Sequence, residues 1–131
     1  MYQLIKQVAS VDDFLRLRDI SGLSPRSRQG AEKALPNSLF GAVITFEGRV
    51  VGMGRVVGDG ALNFDIVDVA VDPEHQGQGL GSQIMQAIMD YLDETAEPLA
   101  YITLMADVPQ LYEKFGFKLS RPHSEGMYIV K

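Results

Sequence analysis

The chain has 131 residues, 46% of them hydrophobic and 22% charged, with a net charge of −5 at pH 7. That length suits one domain, residues 1–131, and the composition is that of a folded globular protein, not a disordered one. The acidic balance argues against a nucleic-acid partner, which needs a positive surface, and mildly favours a cationic one. With no cysteine there are no disulfides, thiolate metal sites or thiol nucleophiles. His75 and His123 stand far apart, with no metal-ligand or triad spacing around either, so no metal is expected. Met1 to Lys6 lacks the apolar core of a signal peptide, and no apolar run approaches the roughly 18 residues that cross a bilayer. The expectation is a cytoplasmic protein without a membrane partner.

In chain order, Tyr2 to Val8 reads as a first strand. Ser10 is a natural N-cap, with Asp12 and Asp13 in the first turn of a helix that Gly22 ends. A second helix is expected from Ser24, with Pro25 at its first position and Pro36-Asn37 at its close. Three strands follow as an antiparallel meander: Ser38 to Phe46, Arg49 to Val57 and Ala61 to Val71. Glu47-Gly48 and Gly58-Asp59-Gly60 make the turns, and Asp72-Pro73 stops the third strand. Leu80, Ile84, Ala87, Ile88, Tyr91 and Leu92 then recur at helical steps, and Pro98 marks the helix's far side. Leu99 to Met105 is a short apolar strand. Asp107 is placed to cap a short helix through Phe115 that stops at Gly116, and Phe117–Leu119 and Met127–Val130 read as two closing strands. The expected fold is one mixed, mostly antiparallel α/β sheet with a parallel element in its middle and helices on both faces.

The segment Gln76-Gly77-Gln78-Gly79-Leu80-Gly81-Ser82 runs from the end of a buried strand straight into a helix. Glycines let a ligand approach the backbone, and a helix start offers free N–H groups and a favourable dipole, so a pyrophosphate is the natural guest. A glycine-rich turn that only lets the helix pack close to the sheet is the competing reading. No lysine stands where a P-loop needs one, and a mid-chain position after a meander does not suit a dinucleotide fold.

Gln76, Gly79 and Gly81 match the Gln/Arg-x-x-Gly-x-Gly/Ala signature of the GNAT superfamily of N-acetyltransferases, which this sequence resembles. Val69, Val71 and Pro73 match the strand that precedes that signature. Leu111-Tyr112-Glu113-Lys114-Phe115-Gly116-Phe117 is similar to a second family segment, and the element order agrees over nearly the whole chain. The resemblance implies acetyl-CoA as co-substrate and an amine as acceptor, either a small molecule or a protein amine. Backbone groups at Val69, Ala70 and Val71 would meet the pantetheine arm, and amides from Gln76 through Ser82 the pyrophosphate. The thioester would sit where the strands carrying Val71 and Leu104 splay apart.

Tyr112 matches the family's general acid, giving a proton to the departing thiolate after direct amine attack in a ternary complex. Its competing role is packing beside Leu111 and Phe115. The base is less defined. The strand Leu99–Met105 lacks the carboxylate that some members carry, which leaves Asp68 as leading candidate against a structural ion pair. In a regular strand Asp65 points to the opposite face from Asp68. Met105 stands where many members have an asparagine, and His75 is expected in solvent. Homodimers are common in the family. A non-catalytic acyl-CoA sensor is the alternative to an enzyme.

Overall fold

The structure, a computed structural model, describes residues 1–131. Five strands form one sheet: β1 (Tyr2–Ile5), β2 (Phe40–Phe46), β3 (Arg49–Gly58), β4 (Asn63–Val71) and β5 (Tyr101–Leu104), lying side by side in chain order. The first four are antiparallel, and β5 runs parallel to β4. Glu47 (φ 52°) and Gly48 (φ 78°) turn β2 into β3 with two left-handed residues, which suits the twist of a tight hairpin. A parallel neighbour needs a crossover, and α3 (Leu80–Thr95) supplies it between β4 and β5.

Helices cover both faces, as the sequence predicts. On one face Leu80, Ile84, Met85, Ile88 and Leu92 of α3 bury against Ile44, Val51, Val56, Phe64 and Ile66. On the other, α1 (Val11–Ser21) and α2 (Arg28–Ala34) bring Phe14, Leu17 and Ala31 onto Val43, Met53 and Ala70. Ser10 caps α1 by accepting from the Asp13 amide at 3.1 Å, and Gly22 closes it at φ 84°. Beneath α3 the sheet must be thin. A Cβ on Gly54 would fall 2.5 Å from Ile84 Cγ2 and 3.1 Å from Ile88 Cδ1. Because the β-branched Ile84 has little rotamer freedom, Gly54→Ala is expected to destabilise the fold by about 1–3 kcal/mol, read as a lower urea midpoint at unchanged slope.

Several boundaries differ from the sequence reading. α2 begins at Arg28, because Ser27, not Ser24, caps it by accepting from the Gly30 amide at 2.9 Å. Ser24 is engaged elsewhere: its carbonyl accepts from Arg18 Nε at 2.8 Å and its hydroxyl oxygen from Arg26 Nη1 at 2.8 Å. Asp107 does not cap the short helix α4 (Pro109–Glu113), whose N-cap is Val108 and whose first turn opens on proline. The expected closing strands are absent. Residues 117–131 form no ladder, so β5 is the sheet's border and the parallel pair lies at its edge, not in its middle. No helix is long and apolar enough to cross a membrane.

Candidate functional site

β4 outruns its neighbour. Its pairing with β5 ends at Ile66 and Leu104, while β4 continues to Val71. From Val67 onward its β5-facing edge has no ladder partner, because β5 itself ends at Leu104. Along the same stretch β4 carries a bulge. Val67 pairs with Arg55 and Ala70 with Met53, so Asp68 and Val69 together oppose Gly54. Asp68 takes a left-handed backbone at φ 61°.

The bulge changes which side chains share a face. Phe64 and Ile66 face α3, and so do Val69 and Val71 after the extra residue, whereas Ala70 packs with α1. Asp65 and Asp68 therefore lie on the same side, contrary to the regular-strand expectation. Asp68 is held by Arg18 Nη1 and, at 2.7 Å, by Arg55 Nε, with only 7% of its side chain exposed. A carboxylate gripped by two guanidinium groups is an anchor, not a base, which corrects its leading candidacy. Asp65 is freer. Its one side-chain partner is the Thr103 hydroxyl at 3.4 Å, and burial, opposed by that contact and reinforced by the charge of Asp68, raises its pKa.

Beyond β4, Pro73–His75 makes one turn of 3₁₀ helix, started by Asp72 accepting from the Glu74 amide at 2.9 Å. Gln76 then donates its side-chain amide back to the Val71 carbonyl at 3.2 Å. Gly77 (φ 81°) and Gly79 (φ 76°) are left-handed, and a Cβ on either would point into open space. No backbone carbonyl accepts from the amides of Gly77 through Ser82. Gly79 is the N-cap of α3 without a capping side chain, so these donors stand at the positive end of a sixteen-residue helix. Gly81 is different: its Cβ position lies 3.5 Å from Leu111 Cδ2, an ordinary contact distance, so it faces α4 and not open space.

A groove of about 470 Å³ joins these parts. Val69, Ala70 and Val71 form one wall and Gln76, Gly77, Gly79, Leu80, Gly81 and Ser82 another, with Tyr112 across from them. Of the cofactor-binding residues expected from the sequence, Val69 to Val71 and Gln76 to Ser82, only Gln78 does not line it; its side chain is exposed. Tyr112 is half-buried, its ring edge-on to Phe117 at 6.5 Å between centroids. Burial first, and the nearby charge of Asp107 second, push its hydroxyl above the usual tyrosine range.

Sequence reasoning gave Lys114 no role, yet its Nζ donates to Ser82 Oγ at 2.9 Å, placing a cation beside the helix start. The signal was its place two residues after Tyr112, one turn's reach from the loop. His75 is not free in solvent. It borders the groove, its Nδ1 lies 2.9 Å from the Tyr2 hydroxyl, and its ring packs on Tyr2 and Phe46. His123 is exposed and lines neither this groove nor the larger cavity beside β5.

An open strand edge leading into a nest of unpartnered amides is an arrangement that suits an elongated ligand with an anionic end. A family model described as an acetyltransferase (GNAT) domain matches residues 37–119. The chain belongs to the GNAT acetyltransferase family. It is similar over its whole length, at 44% identity and a TM-score of 0.95, to all of a crystallised Staphylococcus aureus protein of unknown function described as a probable acetyltransferase. An uncharacterised N-acetyltransferase, ycf52, of Gracilaria tenuistipitata is 30% identical over 98% of this chain and 72% of its own. GCN5-related N-acetyltransferase 2, a chloroplastic protein of Arabidopsis thaliana, is 37% identical over 63% of this chain. The chain spans about a third of the length of that relative.

Proposed function

We propose that this protein transfers an acetyl group from acetyl-CoA to a primary amine by direct attack within a ternary complex. The observation that carries this reading is the continuity of the free β4 edge, Val67 to Val71, with the unpartnered amides of Gly77 to Ser82. The residues fit the co-substrate. Backbone groups of Val69 and Val71 can meet a pantetheine arm as an added strand would, those of Ala70 being turned to Met53 in the β3 ladder, and the space above Gly77 and Gly79 admits phosphate oxygens. The negative net charge favours an ammonium-bearing acceptor, whether small molecule or protein.

In the reaction the neutral amine nitrogen bonds to the thioester carbonyl carbon and the carbon–sulfur bond breaks. A backbone N–H at the bulge serves the oxyanion, Tyr112 gives its proton to the leaving thiolate, and the acceptor's own proton leaves to Asp65 or through it to water. Asp65 takes this part because Asp68 is already paired.

The test is thiol release from acetyl-CoA across a panel of amines, with CoA affinity measured in parallel. Acceptor-dependent release is expected. Tight CoA binding without release from any amine would favour the sensor reading. Lys114→Met is expected to weaken CoA binding about three- to fivefold, the scale of an exposed charge contact, with the difference shrinking as salt rises. Titration calorimetry at two ionic strengths checks it.

A further inference from the structure

The amide nest has little of its own to hold it. Gly77 and Gly79 take left-handed backbones, and glycine has more conformational freedom to lose than any other residue. A convergent set of N–H donors binds an anion well only if it is arranged before the anion arrives, because ordering a loose loop subtracts from affinity. On one side the nest is fixed by α3, whose first residue, Leu80, is buried. On the other Asp72 is fixed, its amide donating to the Val51 carbonyl at 2.8 Å. Between them, residues 73–79 need an anchor.

His75 is the one residue from Pro73 to Gly79 that is not exposed. The other hydrogen bonds of that stretch are local. Asp72 accepts from the amides of Glu74 and His75, and Gln76 donates to the Val71 carbonyl, none of them reaching more than five residues along the chain. His75 instead reaches across the end of the sheet. Its Nδ1 lies 2.9 Å from the hydroxyl of Tyr2, 73 residues away in sequence. Its ring centroid is 5.6 Å from that of Tyr2, edge-on, and 5.0 Å from that of Phe46. Tyr2 opens β1, Phe46 closes β2, and the two are ladder partners with rings 4.9 Å apart. Both also pack against the core beneath α3. The peg therefore ends in rigid structure and not in another loop.

We propose that Tyr2 and His75 are positioning residues for the anionic end of the ligand. The Tyr2 hydroxyl fixes the His75 ring, and the ring fixes the chain that enters Gly77, so that the amides beyond it stay convergent. This rests on reading the nest as the phosphate site of acetyl-CoA. Tyr2 lines no part of the groove, so an effect of its hydroxyl on the ligand must pass through His75. His75 borders the groove itself, which makes Tyr2 the residue that separates positioning from direct contact. Tyr2→Phe removes the hydrogen bond and keeps the ring contacts with Phe46 and His75. His75→Ala removes the whole peg.

Titration calorimetry below the unfolding transition tests it, with CoA and with the free phospho-ADP moiety of CoA, which keeps the phosphates and lacks the arm. Tyr2→Phe is expected to weaken both ligands about three- to tenfold, the scale of one neutral hydrogen bond, and His75→Ala to weaken both further. On the His75→Ala background Tyr2→Phe should add nothing, because its route to the ligand is gone. In the ligand-free protein, NMR order parameters of Gly77 and Gly79 should fall in Tyr2→Phe. A Tyr2→Phe variant that binds CoA as the wild type does overturns the proposal and leaves the acetyl-CoA reading standing. So does a Tyr2→Phe loss of the same size with and without His75. A wild-type protein that binds neither ligand removes the acetyl-CoA reading instead, and the order parameters then decide alone whether the peg holds the loop. If His75→Ala fails to fold, Tyr2→Phe still decides.

Discussion

Tyr112→Phe is expected to lower turnover by roughly 10²-fold or more while leaving CoA affinity nearly unchanged, the scale of losing a positioned general acid. The substitution removes one oxygen. The ring's edge-on contact with Phe117 and its place in the groove wall survive, so thermal unfolding should hardly move. Steady-state kinetics of thiol release, with CoA binding measured separately, give the split between kcat and affinity. Unchanged turnover would return Tyr112 to a packing role. A pH profile adds a second reading. Burial, and then the charge of Asp107, hold the Tyr112 proton above the ordinary value near 10, so activity that needs this proton should persist through neutral pH and fall only on the far alkaline side. Asp107→Asn removes one cause of the upward shift, and the alkaline limb should move down in pH.

What could be read from the sequence is what local chemistry dictates. Gly77 and Gly79 sit at left-handed positions, and Pro73 follows the end of β4, because such residues act on their own backbone wherever the rest of the chain goes. The apolar stripe of α3 was legible for a similar reason, its period being set within one element. Contacts between distant segments were not legible. The face shared by Asp65 and Asp68 depends on an extra residue opposite Gly54, and nothing in the spacing of Asp-Ile-Val-Asp announces it. Ser24 and Ser27 are equally good caps in isolation, and the choice falls to Ser27 because Arg18 reaches across to occupy the Ser24 carbonyl. Met127–Val130 has the composition of a strand, but a strand also needs a neighbour, and β5 does not pair with it.

Asp68 offers the sharpest test of scaffold against catalyst. Asp68→Asn keeps the size of the side chain and suits the left-handed backbone at φ 61°, since asparagine is among the residues that tolerate it. It therefore isolates the charge. With the carboxylate gone, Arg18 and Arg55, whose side chains are only 6% and 14% exposed, face each other without their counter-ion. Removing one partner from a buried charge cluster costs about 3–5 kcal/mol, because the remaining ions stay desolvated and uncompensated. A fall in unfolding temperature of roughly 10 °C is expected for a chain of this size, measurable by calorimetry. Arg18→Met on the same background should recover part of that loss, since it removes one of the two stranded charges, and the double-mutant cycle measures the coupling. A catalytic base would behave otherwise: Asp68→Asn would then abolish turnover in a protein of unaltered stability, and Arg18→Met would recover nothing. The ion pairs also hold the bulge that turns Val69 and Val71 toward α3 and sets the run of β4 edge leading to the amide nest. Loss of the charge should thus weaken CoA binding in proportion to the lost stability, as expected if Asp68 shapes the strand on which the ligand would lie.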